Sequence, residues 1–125
     1  MTDTLQNPEE FLPLTPAVFN ILLALADNEK HGYGIMLEVE ANTDGQVLMG
    51  PGTLYGSIKR MLKAGLIEES NERADPEMDD QRRKYYRLTD LGRSTLHMEA
   101  ERLASQVMIA KVKNVLGVDL LGSTS

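Results

Sequence analysis

A mainly α (α+β) fold is what this sequence predicts: three short helices, a two-stranded hairpin and one long C-terminal helix. Three observations carry that expectation. Apolar residues recur at helical spacing in four separate stretches. Glycine and proline punctuate the chain between them, at His31-Gly32-Tyr33-Gly34 and at Gly50-Pro51-Gly52. Only between Leu66 and Leu88 does the period change to the alternation expected of strands.

The elements follow in order. Thr15-Pro16 starts a helix, because Thr15 can accept from free backbone N–H groups and Pro16 lacks the N–H that a first helical residue leaves unpaired anyway. Val18, Ile21, Leu22 and Leu25 give this helix its buried side, and it is expected to end near Asp27 or Asn28. His31 to Gly34 reads as a connection. Ile35, Met36 and Val39 then mark a second helix closed by the turn-rich segment Asn42 to Gly45. After the break at Gly50-Pro51-Gly52, Thr53 is expected to cap a third helix running to about Ala64, with Gly65 as its left-handed terminator. Leu54, Ile58, Met61 and Leu62 form its apolar face, while Thr53, Gly56, Lys59, Arg60 and Lys63 lie toward the other side.

Leu66 to Ser70 and Arg82 to Leu88 read as the two hairpin strands around a polar loop, Asn71 to Gln81. Thr89 caps the long helix, expected to reach Leu116. Its later part, with Val107, Met108, Ile109, Val112, Val115 and Leu116, is apolar on more than one side, which a small domain cannot bury alone. Another copy of the chain is the simplest second body. Leu96 and Leu103 extend this interface, so the expected partner is self, as a homodimer. The organisation expected is an N-terminal extension over 1–12, a folded domain over 13–88, a dimerisation helix over 89–116 and a flexible tail over 117–125.

Composition narrows the function. At 125 residues, with 42% hydrophobic and 26% charged residues, the chain fits one ordinary globular domain. No apolar run approaches the roughly 18 residues that would span a bilayer, so no membrane partner is expected. Met1 to Glu10 lacks the basic start and apolar stretch of a secretory signal, which makes the cytoplasm the expected location. The absence of cysteine removes thiolate nucleophiles and cysteine-bound metals.

The net charge of −6 is unevenly spread. Residues 1–49 hold one basic and eight acidic residues, residues 50–93 hold nine and eight, and residues 94–125 hold three and three. Several acids of the middle third share one short stretch, Asp75 to Asp80, which leaves room for a positive face on the third helix and the hairpin base.

Helix, helix, basic helix, hairpin is the order of a winged helix-turn-helix with a two-stranded wing, in which the third helix enters the major groove of double-stranded DNA. Four blocks sharpen this: His31-Gly32-Tyr33-Gly34-Ile35, Gly50-Pro51-Gly52-Thr53-Leu54-Tyr55, Leu62-Lys63-Ala64-Gly65-Leu66-Ile67, and Arg83-Lys84-Tyr85-Tyr86-Arg87-Leu88-Thr89-Asp90-Leu91-Gly92. In that order they closely resemble the signature blocks of the PadR family of bacterial transcriptional regulators, over about residues 14 to 116. The resemblance implies the short-chain subgroup: a winged helix followed by one dimerisation helix, with repression relieved by a small ligand in some members.

On the residues themselves, Thr53 and Ser57 lie where hydroxyls can reach bases or phosphates, Gly56 keeps the groove-facing surface flat or is a glycine tolerated on a solvated face, and Lys59, Arg60 and Lys63 supply charge for phosphates. The resemblance associates Tyr55 with a DNA-backbone contact; a ring packed in the core with only its hydroxyl exposed is the alternative. Arg82, Arg83 and Lys84 enter the wing base and could clamp phosphates, whereas a charged edge that discourages sheet aggregation is the plainer role. The carboxylates of Asp75 to Asp80 repel phosphate and speak against a contact at the wing tip.

Other constellations do not assemble. Gly50-x-Gly52-x-x-x-Gly56 mimics a dinucleotide loop without a βαβ unit around it. His31 and His97 lack metal-ligand spacing, and the acidic stretch lacks the glycine and terminal glutamate of a calcium loop. Neither a cofactor nor a metal is expected, and no catalytic set is found. The expected function is a repressor acting as a homodimer on a pseudo-palindromic operator. The rival is a winged-helix module that binds protein and not DNA, favoured by the acidic net charge. Some short-chain relatives hold flat hydrophobic effectors with a tryptophan at the dimer interface, and this chain has none; Phe19, Met98, Val107 and Met108 are the residues expected around any small hydrophobic effector.

Overall fold

The computed structural model describes residues 7–70 and 84–117. Four helices and three short strands enclose one core: α1 Pro16–Ala24, β1 Lys30–His31, α2 Gly32–Asn42, α3 Pro51–Ala64, β2 Ile67–Ser70, β3 Tyr85–Leu88 and α4 Asp90–Val112. Ile21, Leu22 and Leu25 of the first helical segment meet Ile35 and Val39 of α2, Leu54, Ile58 and Met61 of α3, Tyr86 and Leu88 of β3, and Leu96 of α4. This is the fold class expected, with an extra strand. The sheet is antiparallel and three-stranded in the order β1-β3-β2, because Lys30 and His31 pair with Tyr86 and Tyr85 on the far edge of β3. A strand of two residues is too short to show alternation in sequence, so the expected two-stranded wing missed it.

Local chemistry sets the helix ends. Thr15 accepts from Val18 N–H at 3.2 Å, as its position before Pro16 required. The helix stops at Ala24, earlier than expected, where Lys30 folds back and its Nζ donates to the Ala24 carbonyl at 2.6 Å and to Asp27 at 2.7 Å. A cation at a helix C-terminus satisfies free carbonyls and suits the dipole. That hydrogen bond from Lys30 is the main reason the Asp27 carboxyl titrates below its usual range.

His31, expected in a connection, is the N-cap of α2: its Nδ1 accepts from Gly34 N–H at 2.9 Å while its ring meets Tyr85 edge-on at 5.3 Å. Thr53 does not cap α3. The helix begins three residues earlier at Pro51, with Gly50 as N-cap and no side-chain cap, so Thr53 lies in its first turn. Proline fits that first position for the same reason as in α1. At the other end Gly65 takes the left-handed conformation (φ 82°), and Leu66 N–H reaches the Met61 carbonyl at 3.0 Å. This is the expected glycine terminator.

The first turns of α4 belong to the core. Thr89 caps it, accepting from Gly92 N–H at 3.0 Å, and its hydroxyl also lies 2.5 Å from the Gly65 carbonyl. Gly92 permits the approach, since a Cβ there would fall 1.9 Å from the Leu66 carbonyl oxygen. The expected run to Leu116 is too long: α4 ends at Val112, Asn114 turns left-handed (φ 61°), and Val115 N–H bonds the Ala110 carbonyl at 2.9 Å. Asparagine is among the few residues besides glycine that tolerate this turn.

Of the expected N-terminal extension, residues 7–12 are described, and they pack beside α4. Pro8–Phe11 forms a short 3₁₀ turn beside α4, and Leu14 N–H donates at 2.9 Å to Glu99. Glu99 is only 1% exposed and receives two further bonds from Arg102, at 2.6 and 2.9 Å. Of the expected flexible tail over 117–125, residues 118–125 lie outside the described residues.

Candidate nucleic-acid interface

The third helix presents a face without a carboxylate. Leu54, Ser57, Ile58 and Met61 point inward and are buried. Thr53, Tyr55, Lys59, Arg60 and Lys63 are exposed, and Gly56 is partly so. Among the described residues a Cβ on Gly52 would meet nothing within 4 Å, and one on Gly56 only Arg60 Nη1 at 3.7 Å, so the surface between the cations is open and low.

Ser57 corrects the sequence reading. It is 1% exposed, on the buried stripe three residues after Leu54 and four before Met61, and cannot present its hydroxyl to bases. Its Oγ instead accepts from Arg60 Nη2 at 3.3 Å.

Tyr55 departs from the alternative of a core-packed ring with only its hydroxyl exposed. It is 39% exposed, but its hydroxyl end is not the free end: it lies against Gly32 at the start of α2. The contact ties the edge of α3 to the second helix. Tyr86 lies nearby, and burial is the main reason its phenol titrates above the usual value, with Glu69 and Tyr55 adding to the rise.

At the wing base Lys84 is half-exposed and stands 3.4 Å from Glu69 across the hairpin, while Arg87 donates to Glu68 at 2.8 Å. Exposed pairs of this kind are worth about 0–1 kcal/mol, so they yield to a better anion. Arg82, Arg83 and the acidic stretch Asp75 to Asp80 lie outside the described residues.

The α4 residues divide. Leu96 is 7% exposed within its own chain and is a core residue, which removes it from the expected dimer interface. Three residues before the buried Glu99, it lies on the side of α4 that faces α1. Leu103 and Leu116 are half-buried. Val107, Met108, Ile109, Val112 and Val115 are all more than half exposed, Val112 at 79%. Among the residues expected around an effector, Phe19 and Met98 are half-buried whereas Val107 and Met108 stand on the exposed part of α4. An open depression at the end of α2 is lined by Leu37, Glu40, Ala41, Asp44 and Gly45, none of them in that set.

Glu99 and Arg102 escaped the sequence reading. Their signal was a carboxylate between Leu96 and Leu103 on the apolar side of a helix, three residues from a guanidinium.

Three helices, the third cationic on its open face, closed by a small antiparallel sheet with a hairpin, define a winged helix-turn-helix protein. Residues 21–98 match the family described as Transcriptional regulator PadR-like. The chain belongs to that PadR-like family of transcriptional regulators. A PadR family transcription regulator from Clostridium difficile is similar at 27% identity and a TM-score of 0.58, over 78% of this chain and 99% of that one. Bacillus subtilis PadR, solved in complex with operator DNA, shares 24% identity and a TM-score of 0.57 over 68% of this chain and 45% of its own, a likeness of fold. A 37.1 kDa protein of a Streptomyces fradiae transposon is 33% identical over 84 residues, which is 67% of this chain and 22% of that protein. No helix among the described residues is long and apolar enough to cross a membrane.

Proposed function

We propose that the chain is a sequence-specific DNA-binding repressor that acts as a homodimer on a pseudo-palindromic operator, with α3 in the major groove. The observation that carries this reading is the open face of α3, where Thr53, Gly56, Lys59, Arg60 and Lys63 lie together without a carboxylate on the helix. Phosphate affinity depends on such local charge and not on the net charge of −6. Lys84, and with it Arg82 and Arg83, supplies flanking backbone contacts, and Tyr55 steadies the edge of α3. The fold likeness to Bacillus subtilis PadR, solved with operator DNA, supports the same reading.

The exposed apolar side chains from Val107 to Val115 form the dimer contact. A small hydrophobic effector bound near Phe19, Met98, Val107 and Met108 would release DNA to the extent that it binds the DNA-free arrangement more tightly.

Titration of random-sequence duplex DNA at several salt concentrations tests the reading. Binding that weakens steeply with salt is expected, with the salt slope reduced by about one unit in Lys63→Ala. Absence of any salt-dependent binding would favour the protein-binding module instead.

A further inference from the structure

Resting on the reading of α3 as the groove helix, we propose that Arg60 reads a guanine in each half-site, and that Ser57 is the residue that positions it. Long side chains on a helix lean toward its N-terminus, over the preceding turn. Arg60 does so here: its Nη1 would lie 3.7 Å from a Cβ on Gly56, and its Nη2 donates to Ser57 Oγ at 3.3 Å. The guanidinium therefore lies over the second turn of α3, at Gly56 and Ser57, although its Cα is in the third.

The first turns are the part of a groove helix that comes to base edges, whereas phosphates are met farther along and to the sides. An arginine meant for phosphate gains from reaching outward. This one is folded back along the helix, with its Nη1 within contact distance of the position a Cβ on Gly56 would take.

The chemistry then selects the base. A guanidinium has five N–H donors and no acceptor. With one bonded to Ser57, the outer pair on Nη1 and Nη2 still matches the O6 and N7 acceptors of guanine. Adenine offers a donor where guanine offers O6, and would be refused. Because Ser57 is buried and fixed, the fork is ordered before DNA arrives, which lowers the entropy lost on binding. Serine at a buried position facing an exposed arginine thus contributes selectivity without touching DNA.

The experiment selects bound sites from a pool of randomised duplex DNA, using the full chain, Arg60→Lys, Ser57→Ala and Lys63→Ala. The wild type is expected to recover a palindrome with a guanine at one position in each half. Each protein is then titrated against that site, against the site with the guanine pair replaced, and against random DNA. Arg60→Lys keeps the charge but loses the fork, so its preference for the guanine site should fall by at least about fivefold while random-DNA binding changes little. Ser57→Ala should move in the same direction by less, and Lys63→Ala should weaken all three DNAs together. An unchanged guanine preference in Arg60→Lys would overturn the assignment while leaving α3 as the DNA helix. Equal losses on all DNAs for Ser57→Ala would reduce Ser57 to a packing role and overturn that half. A wild type that binds none of the DNAs would overturn the groove-helix reading itself, and the proposal with it.

Discussion

The hydroxyl of Tyr55 rests on Gly32: a Cβ at Gly32 would fall 2.3 Å from Tyr55 Oη and 2.7 Å from its Cζ. Gly92 has a similar relation to the Leu66 carbonyl oxygen, at 1.9 Å, but there the obstacle is backbone. The two glycines therefore predict different outcomes for the same substitution. In Gly32→Ala the partly exposed ring of Tyr55 can swing outward, so stability should fall by no more than about 1–2 kcal/mol. The larger effect should be on DNA affinity, because the edge of α3 loses its tie to α2. Gly92→Ala forces α4 away from the strand it seals and should cost about 3 kcal/mol or more, at the upper end for overpacking. Denaturant unfolding of both variants checks the order; equal losses would mean that the Tyr55 ring is as fixed as the backbone.

Gly56→Ala separates folding from binding. Among the described residues only the end of Arg60 lies within 4 Å of the new methyl group, at the ordinary contact distance of 3.7 Å. Alanine is favoured over glycine in a helix interior by about 1 kcal/mol, so the free protein should melt at a higher temperature than the wild type. The same methyl group stands on the open face of α3 and should weaken operator binding. Thermal melts and DNA titrations on one preparation test both halves, and a variant that is more stable and binds equally well would show that DNA does not approach Gly56.

The buried carboxylate of Glu99, bonded to Arg102 and to Leu14 N–H, makes the stability of the fold pH-sensitive. The hydrogen bonds from Arg102 hold its pKa below the usual carboxylate range, against the opposing effect of burial, and Leu14 N–H adds to the lowering. A carboxyl whose folded pKa lies below its unfolded value stabilises the protein above the unfolded pKa, and that contribution disappears as pH falls through the folded pKa. The stability difference between wild type and Glu99→Gln should therefore be largest near neutral pH and shrink in acid. At neutral pH Arg102→Met should be the worse variant, because it leaves the sealed carboxylate with one backbone partner. In Glu99→Gln the orphaned group is a guanidinium that can turn to water. Unfolding curves at neutral and acidic pH for the three proteins decide, and a pH-independent difference would refute the pairing.

Much of this arrangement was legible in the chain because it is local. Thr15-Pro16, Ala64-Gly65 and Thr89 mark helix ends through contacts within a few residues, and each stands where the sequence placed it. The failures share another cause: they depend on groups distant in sequence or on one turn of phase. Lys30 and His31 form a strand only because β3, more than fifty residues later, runs beside them. Ser57 was misread despite sufficient local information, since its position between Leu54 and Met61 puts it on the buried stripe and its polarity argued otherwise. For the candidate site, residue type revealed the cations but not their direction, which rests on whether a side chain folds back along its helix.

The exposed apolar part of α4 predicts the oligomeric state. Val107, Met108, Ile109 and Val112 cover more than one side of the last two turns of that helix and are over half exposed in the single chain. Leu96, Thr95 and Glu99, two to three turns earlier, are sealed within the domain. The boundary between these parts falls near Leu103, so substitutions after it can test association without disturbing the core. Met108→Glu and Val112→Glu together place charges in the expected contact, where each unpaired buried charge costs several kcal/mol. The doubly substituted protein should be monomeric by light scattering at micromolar concentration, whereas the wild type should be a dimer. Its thermal unfolding should remain cooperative, because both positions are already exposed in the folded chain, although its melting temperature should no longer rise with protein concentration. Operator binding should weaken far more than random-DNA binding, since only the operator rewards two groove helices held about one DNA turn apart. A wild type found monomeric under these conditions, or a charged variant that remains dimeric, would move the dimer contact away from α4.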